Sequence, residues 1–188
     1  IVAQVDLLSL AAHKFGGPQG VGVLFVRQGT RLAPRLLGGG QERERRSGTQ
    51  NVAGIVAMAV AAAETDAQRV DTVARVGALR DRLVDGLVAA VPGTHVSGVV
   101  EGVAPPRTAN IAHLCFDGIE SEALLFLLEK HDVLASAASS CASGAMEPSH
   151  VLRAMHVPFT AVHGSIRFSL SRYNTDADID EILRVFPQ

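Results

Sequence analysis

The stretch Ser9-Leu-Ala-Ala-His13-Lys14-Phe-Gly-Gly-Pro18-Gln-Gly20-Val-Gly22 decides the reading of this chain. It overlaps Val5–Leu10, a short apolar run that reads as a strand, and leads into Val21–Val26, a β-branched apolar run that reads as a second. Gly16, Gly17, Pro18, Gly20 and Gly22 make the connection between them a turn. A lysine at a strand end, ahead of a glycine-rich turn, can be held near an anionic ligand. Desolvation or a neighbouring cation lowers an amine's pKa, and imine formation requires the neutral amine. A plain surface lysine on a turn fits the same residues, because turn glycines are common. Composition gives the lysine some weight. Of 17 basic residues only Lys14 and Lys130 are lysines, and arginine stays protonated and cannot form a Schiff base.

Working outward, Leu36–Gly48 reads as a polar loop holding Gly38–Gly40 and the charged cluster Glu42–Arg46. Asn51–Glu64 reads as a helix of small residues, and Ala67–Val91 as a longer amphipathic helix. Val70, Val73, Val76, Leu79, Leu83 and Leu87 make one stripe of that second helix, and Pro92–Gly93 ends it. His95–Val100 and Asn110–Phe116 read as strands, Glu120–His131 as a helix and Val133–Ala135 as a short strand. Ala137–Ala145 is a run of small residues carrying Cys141. Pro148–Met155 reads as helical, Ser165–Leu170 as a strand, and Asp176–Phe186 as a helix opened by Thr175. Strands and helices are mixed, so the fold class is α/β or α+β. There is no internal repeat, and the best internal boundary is near residue 65.

The bulk numbers exclude several classes. The chain has 188 residues, 47% of them hydrophobic, which is enough to bury a core and rules out wholesale disorder. With 17 basic and 19 acidic residues, the formal net charge of -2 argues against nucleic-acid binding through phosphate neutralisation. The longest apolar run, Val52–Ala63, is too short to span a bilayer. Two cysteines, Cys115 and Cys141, cannot make a disulfide framework and lack zinc spacing, so a cytoplasmic location is expected. The chain opens at Ile1 on strand-like residues with no secretory leader pattern, and the expectation is a fragment cut at least at the front.

Three further segments can carry chemistry. In Arg45-Arg46-Ser47-Gly48-Thr49-Gln50-Asn51, hydroxyls and backbone N–H groups before a helix start suit an anion, and equally suit plain N-capping by Ser47 or Thr49. In Ser139-Ser140-Cys141-Ala142-Ser143-Gly144, a thiol among small polar residues suits an accessible, mobile cysteine or a simple loop residue. Cys115, inside Ile111–Phe116, reads as a small core residue. In Ser165-Ile-Arg167-Phe-Ser-Leu-Ser-Arg172-Tyr-Asn174, an arginine alternating with apolar residues suits a carboxylate in a cleft or a structural salt bridge. Arg172 reads as solvent-facing. His95, His113, His131, His150, His156 and His163 show no metal spacing and read as structural or surface groups.

Taken together, HKxxGPxGxG, GGGQExxxRSGTxN, SSCxSGxxEPSHVLRAM and SIRFSLSRYNT resemble four signatures of the NifS/IscS-like cysteine desulfurases. These are class V aminotransferase-like enzymes of fold-type I that use pyridoxal 5'-phosphate, and the resemblance runs over essentially the whole chain, matching their C-terminal half. It implies that residues 1–65 are the end of the large cofactor domain and 66–188 the small C-terminal α+β domain. It implies that Lys14 is the Schiff-base lysine, that His13 lies by the cofactor phosphate, and that Thr49 reaches the phosphate of the partner subunit's cofactor in a homodimer. It implies that Cys141 is the catalytic cysteine and that Arg167 binds the substrate carboxylate. No metal is implied. The implied reaction takes L-cysteine to L-alanine, with sulfur left as a persulfide on Cys141 for an acceptor protein, an iron–sulfur scaffold being one candidate. Ala11 departs from the family, which commonly has a phosphate-binding serine there. The family's N-terminal half, with its ring-stacking histidine and ring-nitrogen aspartate, has no counterpart in this sequence. A related lyase acting on selenocysteine, and a scaffold or sulfur-relay protein without cofactor, are the alternatives.

Overall fold

A computed structural model describes residues 2–98, 107–137 and 149–187, and they form two compact units, Ile1–Arg69 and Val70–Gln188. In the first, strands β1 (Leu7–Ala11) and β2 (Gly22–Val26) pair antiparallel, with Leu7 opposite Val26 and Ala11 opposite Gly22. The close approach explains one glycine: a Cβ at Gly22 would lie 2.6 Å from the Leu10 carbonyl oxygen. Between the strands, Ala12–Phe15 makes one turn of 3-10 helix, which Gly16 closes in the left-handed region at φ 88°. Helix α1 (Val52–Ala67) follows an exposed loop. Its Thr65 hydroxyl donates to the Phe15 carbonyl at 3.2 Å, tying the helix to that turn.

The second unit is a four-stranded antiparallel sheet with helices. Its strands are β3 (Thr94–Val96), β4 (Ile111–Phe116), β5 (Ser136–Ala137) and β6 (Ser165–Ser169), in the order β3-β4-β6-β5. Its helices are α2 (Arg69–Ala90, all but its first residue), α3 (Ser121–Glu129), the short α4 (His150–Ala154) and α5 (Phe159–Val162), and α6 (Asp176–Val185). Alternation decides which face each residue takes. Ala112, Leu114 and Phe116 of β4 and Ile166 and Phe168 of β6 turn one way, into a core with α2, α3 and α6. Phe186 lies tilted against Phe116, ring centroids 4.7 Å apart, and meets Phe168 edge-on at 5.9 Å. Cys115 turns the other way and packs with Leu152 of α4 and Ala161 and Val162 of α5.

The stripe expected on the second helix forms over Val76, Leu79, Leu83 and Leu87, which are buried together with Val84. Val70 and Val73 are exposed instead, because the first turns of α2 lie ahead of the stretch that packs on the sheet. The short strand expected at Val133–Ala135 forms three residues later: Val133 is drawn into the core, and pairing with β6 begins at Ser136. The capped last helix forms as read. The Asp178 carboxylate accepts from the Thr175 backbone N–H at 2.8 Å, bracing the first turn. No helix of the described residues is long and apolar enough to cross a membrane.

Two outcomes check this packing. Leu83 is wholly buried at the centre of α2, so Leu83→Ala should lower the unfolding free energy by about 2–5 kcal/mol, read as a lower urea midpoint. The backbone hydrogen bond from Thr175, foremost, and the Asn174 amide hold the Asp178 carboxyl below its ordinary pKa. A depressed folded pKa adds stability above the unfolded value and loses it as pH falls through the folded one. The melting-temperature gap between wild type and Asp178→Asn should therefore be widest near neutral pH and close in acid; a gap independent of pH would refute the charge effect.

Candidate active site

Each candidate group is held by a local reason. Ala12, fully buried, anchors the turn after β1: its N–H donates to the Val21 carbonyl at 3.1 Å and its carbonyl accepts from Gly17 N–H at 2.9 Å. A Cβ at Gly17 would come within 2.8 Å of the Ala12 Cβ, so the fold-back requires glycine. The next two residues, His13 and Lys14, stand exposed on the turn. Among the described residues no carboxylate pairs with the Lys14 amine.

The loop before α1 is built from its own polar groups. The Ser47 hydroxyl donates to the Gly39 carbonyl at 2.5 Å, Gly48 N–H donates to Gln41 Oε1 at 3.1 Å, and Arg46 Nη1 donates to the Ser47 carbonyl at 2.8 Å. Glu42, Arg43 and Glu44 are all left-handed, at φ 49°, 58° and 62°, a conformation that costs non-glycine residues about 1–2 kcal/mol each. The capping alternative for Ser47 and Thr49 fails here. Asn51 caps α1, its Oδ1 accepting from Gly54 N–H at 3.0 Å. Thr49 is exposed, and its hydroxyl makes no hydrogen bond among the described residues.

In the second unit, Arg167 lies mid-β6 between His113 of β4 and Ser136 of β5. Its neighbours Ile166 and Phe168 fill the core, so strand alternation sends Arg167 to the opposite face, where it is exposed. The salt bridge weighed for it is absent among the described residues, and its five N–H donors meet no acceptor there. Arg172 is only partly exposed, lying against the Tyr173 ring at 5.1 Å while its carbonyl accepts from Arg75. Cys115 is buried as expected, which pushes its thiol pKa up. Cys141 lies outside the described residues, five positions after Ser136 in sequence.

His113 is the residue whose place sequence reading missed. Its Nδ1 lies 2.7 Å from Ser97 Oγ, which lies 3.6 Å from Cys115 Sγ. Its Nε2 is buried without a partner. Burial, and then the charge of Arg167, lower its pKa, so the ring is neutral at pH 7. A histidine within an apolar strand run was the available signal; the pairing that sets it against Arg167 is long-range. No group of His, Cys, Asp and Glu among the described residues could hold a metal.

Comparison with known proteins gives a consistent picture. The sequence profile of the class-V aminotransferases matches residues 2–182. A cysteine desulfurase of Gluconacetobacter diazotrophicus is 52% identical over 98% of this chain and 45% of its own length. The cysteine desulfurase NifS of Azotobacter vinelandii is 49% identical over the same shares. Among solved structures, a NifS-like protein superposes with a TM-score of 0.84 at 35% identity, covering 98% of this chain and 46% of that one. A NifS-like protein from Rickettsia africae gives 0.82 at 28% identity, covering 97% and 46%. The chain thus spans about half the length of the curated relatives it matches.

Capping and ligand binding separate by mutation. Asn51→Ala should cost about 1 kcal/mol in urea denaturation, whereas Thr49→Ala should stay within about 0.5 kcal/mol of wild type. Equal losses would return Thr49 to a structural role.

Proposed function

Because this chain belongs to the class-V aminotransferase family, we propose that it is the C-terminal portion of a pyridoxal-phosphate-dependent cysteine desulfurase. Identity near 50% along 98% of the chain, to relatives that bear that name, is the observation that carries the reading. On this reading residues 1–65 end the large domain and 66–188 form the small one. The enzyme is a cytoplasmic homodimer that passes sulfur from L-cysteine to an acceptor protein, an iron–sulfur scaffold among the candidates.

The donor set fits the cofactor. Lys14 offers a primary amine with no carboxylate partner among the described residues, His13 an imidazole beside it, and Thr49 an uncommitted hydroxyl. Gly17 lets the backbone fold back where a side chain would collide. Lys14 and His13 would hold the cofactor of their own subunit, and Thr49 the phosphate of the other's. When bound, pyridoxal phosphate supplies an electron sink that acidifies a substrate's α-carbon.

The chain's own residues do the rest. Arg167 receives the substrate carboxylate on two parallel N–H donors, which fixes the amino acid's orientation as well as its charge. The Lys14 amine, once neutral, takes and returns the α-proton. The Cys141 thiolate attacks the sulfur of substrate cysteine: a new S–S bond forms and the substrate's C–S bond breaks. Carbon regains a proton and leaves as L-alanine, and the sulfur stays on Cys141 as a persulfide. The alternative, a selenocysteine lyase, can share the lysine, the arginine and the thiol; one that does not need the thiol keeps turnover in Cys141→Ala.

Two measurements test the reading. Incubation with pyridoxal phosphate followed by borohydride should place one pyridoxyl mass on Lys14, lost in Lys14→Arg; labelling of Lys130 and the N-terminus with no preference for Lys14 would refute the cofactor site. In the family-length protein, Cys141→Ala should abolish protein persulfide formation from L-cysteine, and full persulfide yield without the thiol would remove Cys141 from the mechanism.

A further inference from the structure

The first strand pair of interest is β4–β6, where His113 stands directly opposite Arg167. Cross-strand partners share one face with Cβ atoms about 5 Å apart. The two residues differ in how their polar atoms are spent. Ser97 engages Nδ1 of the imidazole at 2.7 Å, and Nε2 is buried with no partner. Arg167 carries five N–H donors that meet no acceptor among the described residues. A buried, unsatisfied polar atom is costly and calls for an explanation.

The tautomer follows from electrostatics. A ring nitrogen beside a guanidinium is favoured as a lone pair and disfavoured as an N–H. In the tautomer this favours, Nδ1 carries the hydrogen and gives it to Ser97 Oγ, leaving the serine's own hydrogen for Cys115 Sγ at 3.6 Å. In that tautomer Nε2, buried with no partner, keeps its lone pair. Among the described residues, the strand positions on this face carry Arg167 of β6, Cys115 of the same strand, and His95 of β3, which is engaged by Asp117 at 3.2 Å; α4, packed against Cys115, carries His150 and Arg153. From β5 comes Ser136, which does not titrate.

We propose that His113 is a positioning residue for Arg167: when a carboxylate binds, the Nε2 lone pair, unpartnered in this structure, accepts one guanidinium N–H and turns the remaining two-donor edge toward the carboxylate of an amino-acid substrate. The proposal rests on Arg167 being the carboxylate receiver. It assigns Ser97 a role too, as the group that locks the imidazole in the tautomer able to accept.

The experiment uses 15N-labelled 188-residue chain and L-alanine as the carboxylate probe. At pH 8 the His113 ring should show a pyrrole-type Nδ1 and a pyridine-type Nε2; the opposite tautomer overturns the proposal without any ligand. L-Alanine should shift the Arg167 Nε–H signal, and Arg167→Ala should remove binding. A wild-type signal that ignores L-alanine, or unchanged binding in Arg167→Ala, means that the carboxylate reading itself has failed. With that reading intact, His113→Leu should weaken L-alanine binding about tenfold, the scale of one hydrogen bond to a charged group. His113→Gln, which keeps an acceptor, should restore most of it. Ser97→Ala, a mild change that covers the case of a misfolded His113→Leu, should give mixed tautomers and an intermediate loss. Unchanged affinity in both His113→Leu and Ser97→Ala, or a Gln variant no better than Leu, would overturn the positioning role alone.

Discussion

The antiparallel register of β4 against β6 is the constraint on which the second unit depends. It sets Ala112 opposite Phe168 and Leu114 opposite Ile166, and so assembles the floor on which α2, α3 and α6 pack. The same register places His113 against Arg167 on the reverse side. A slip of one residue would exchange the two faces, burying a guanidinium and exposing the core in a single step. Core and candidate site are therefore one specification, written on alternate residues of two strands.

Legibility followed the range of the interactions. The stripe of α2 and the Thr175–Asp178 start of α6 are local patterns, and both were readable from spacing. The exposure of Val70 and Val73 was not, because where a stripe meets its partner depends on where the sheet ends. The cap of α1 was misplaced by candidates two and four residues upstream: Ser47 spends its hydroxyl on Gly39, and Asn51 does the capping. Lys14 and Arg167 stood out as residue types in unusual local settings. His113 did not, since nothing within its own strand tells which residue of a distant strand will face it.

The first unit has a different economy. Two strands alone are marginal in water, and here they leave Leu7, Leu10, Val23 and Leu24 exposed. Helix α1 likewise leaves Val52, Ile55, Val56 and Val60 exposed. Apolar surface of this extent, on both faces of the strand pair and along one side of α1, is unusual on a folded unit, and the curated relatives are about twice as long. Its loop before α1 is by contrast held by its own polar groups, the Ser47 hydroxyl on the Gly39 carbonyl and the Gln41 side chain on Gly48 N–H.

One set of contacts has a consequence for the order in which the molecule is made. Arg75 of α2 donates to the carbonyls of Asn174, 2.7 Å away, and Arg172, and Arg82 pairs with Asp176 and Asp180 of α6. These partners stand 94 to 99 residues apart in the chain. During translation α2 thus emerges long before the helix that completes its clasp, with Leu83 and Leu87 still uncovered on that side. At about 5–20 residues per second, the wait lasts about 5–20 s. The second unit therefore closes only once α6 has been made, and until then the apolar stripe of α2 lacks part of its cover.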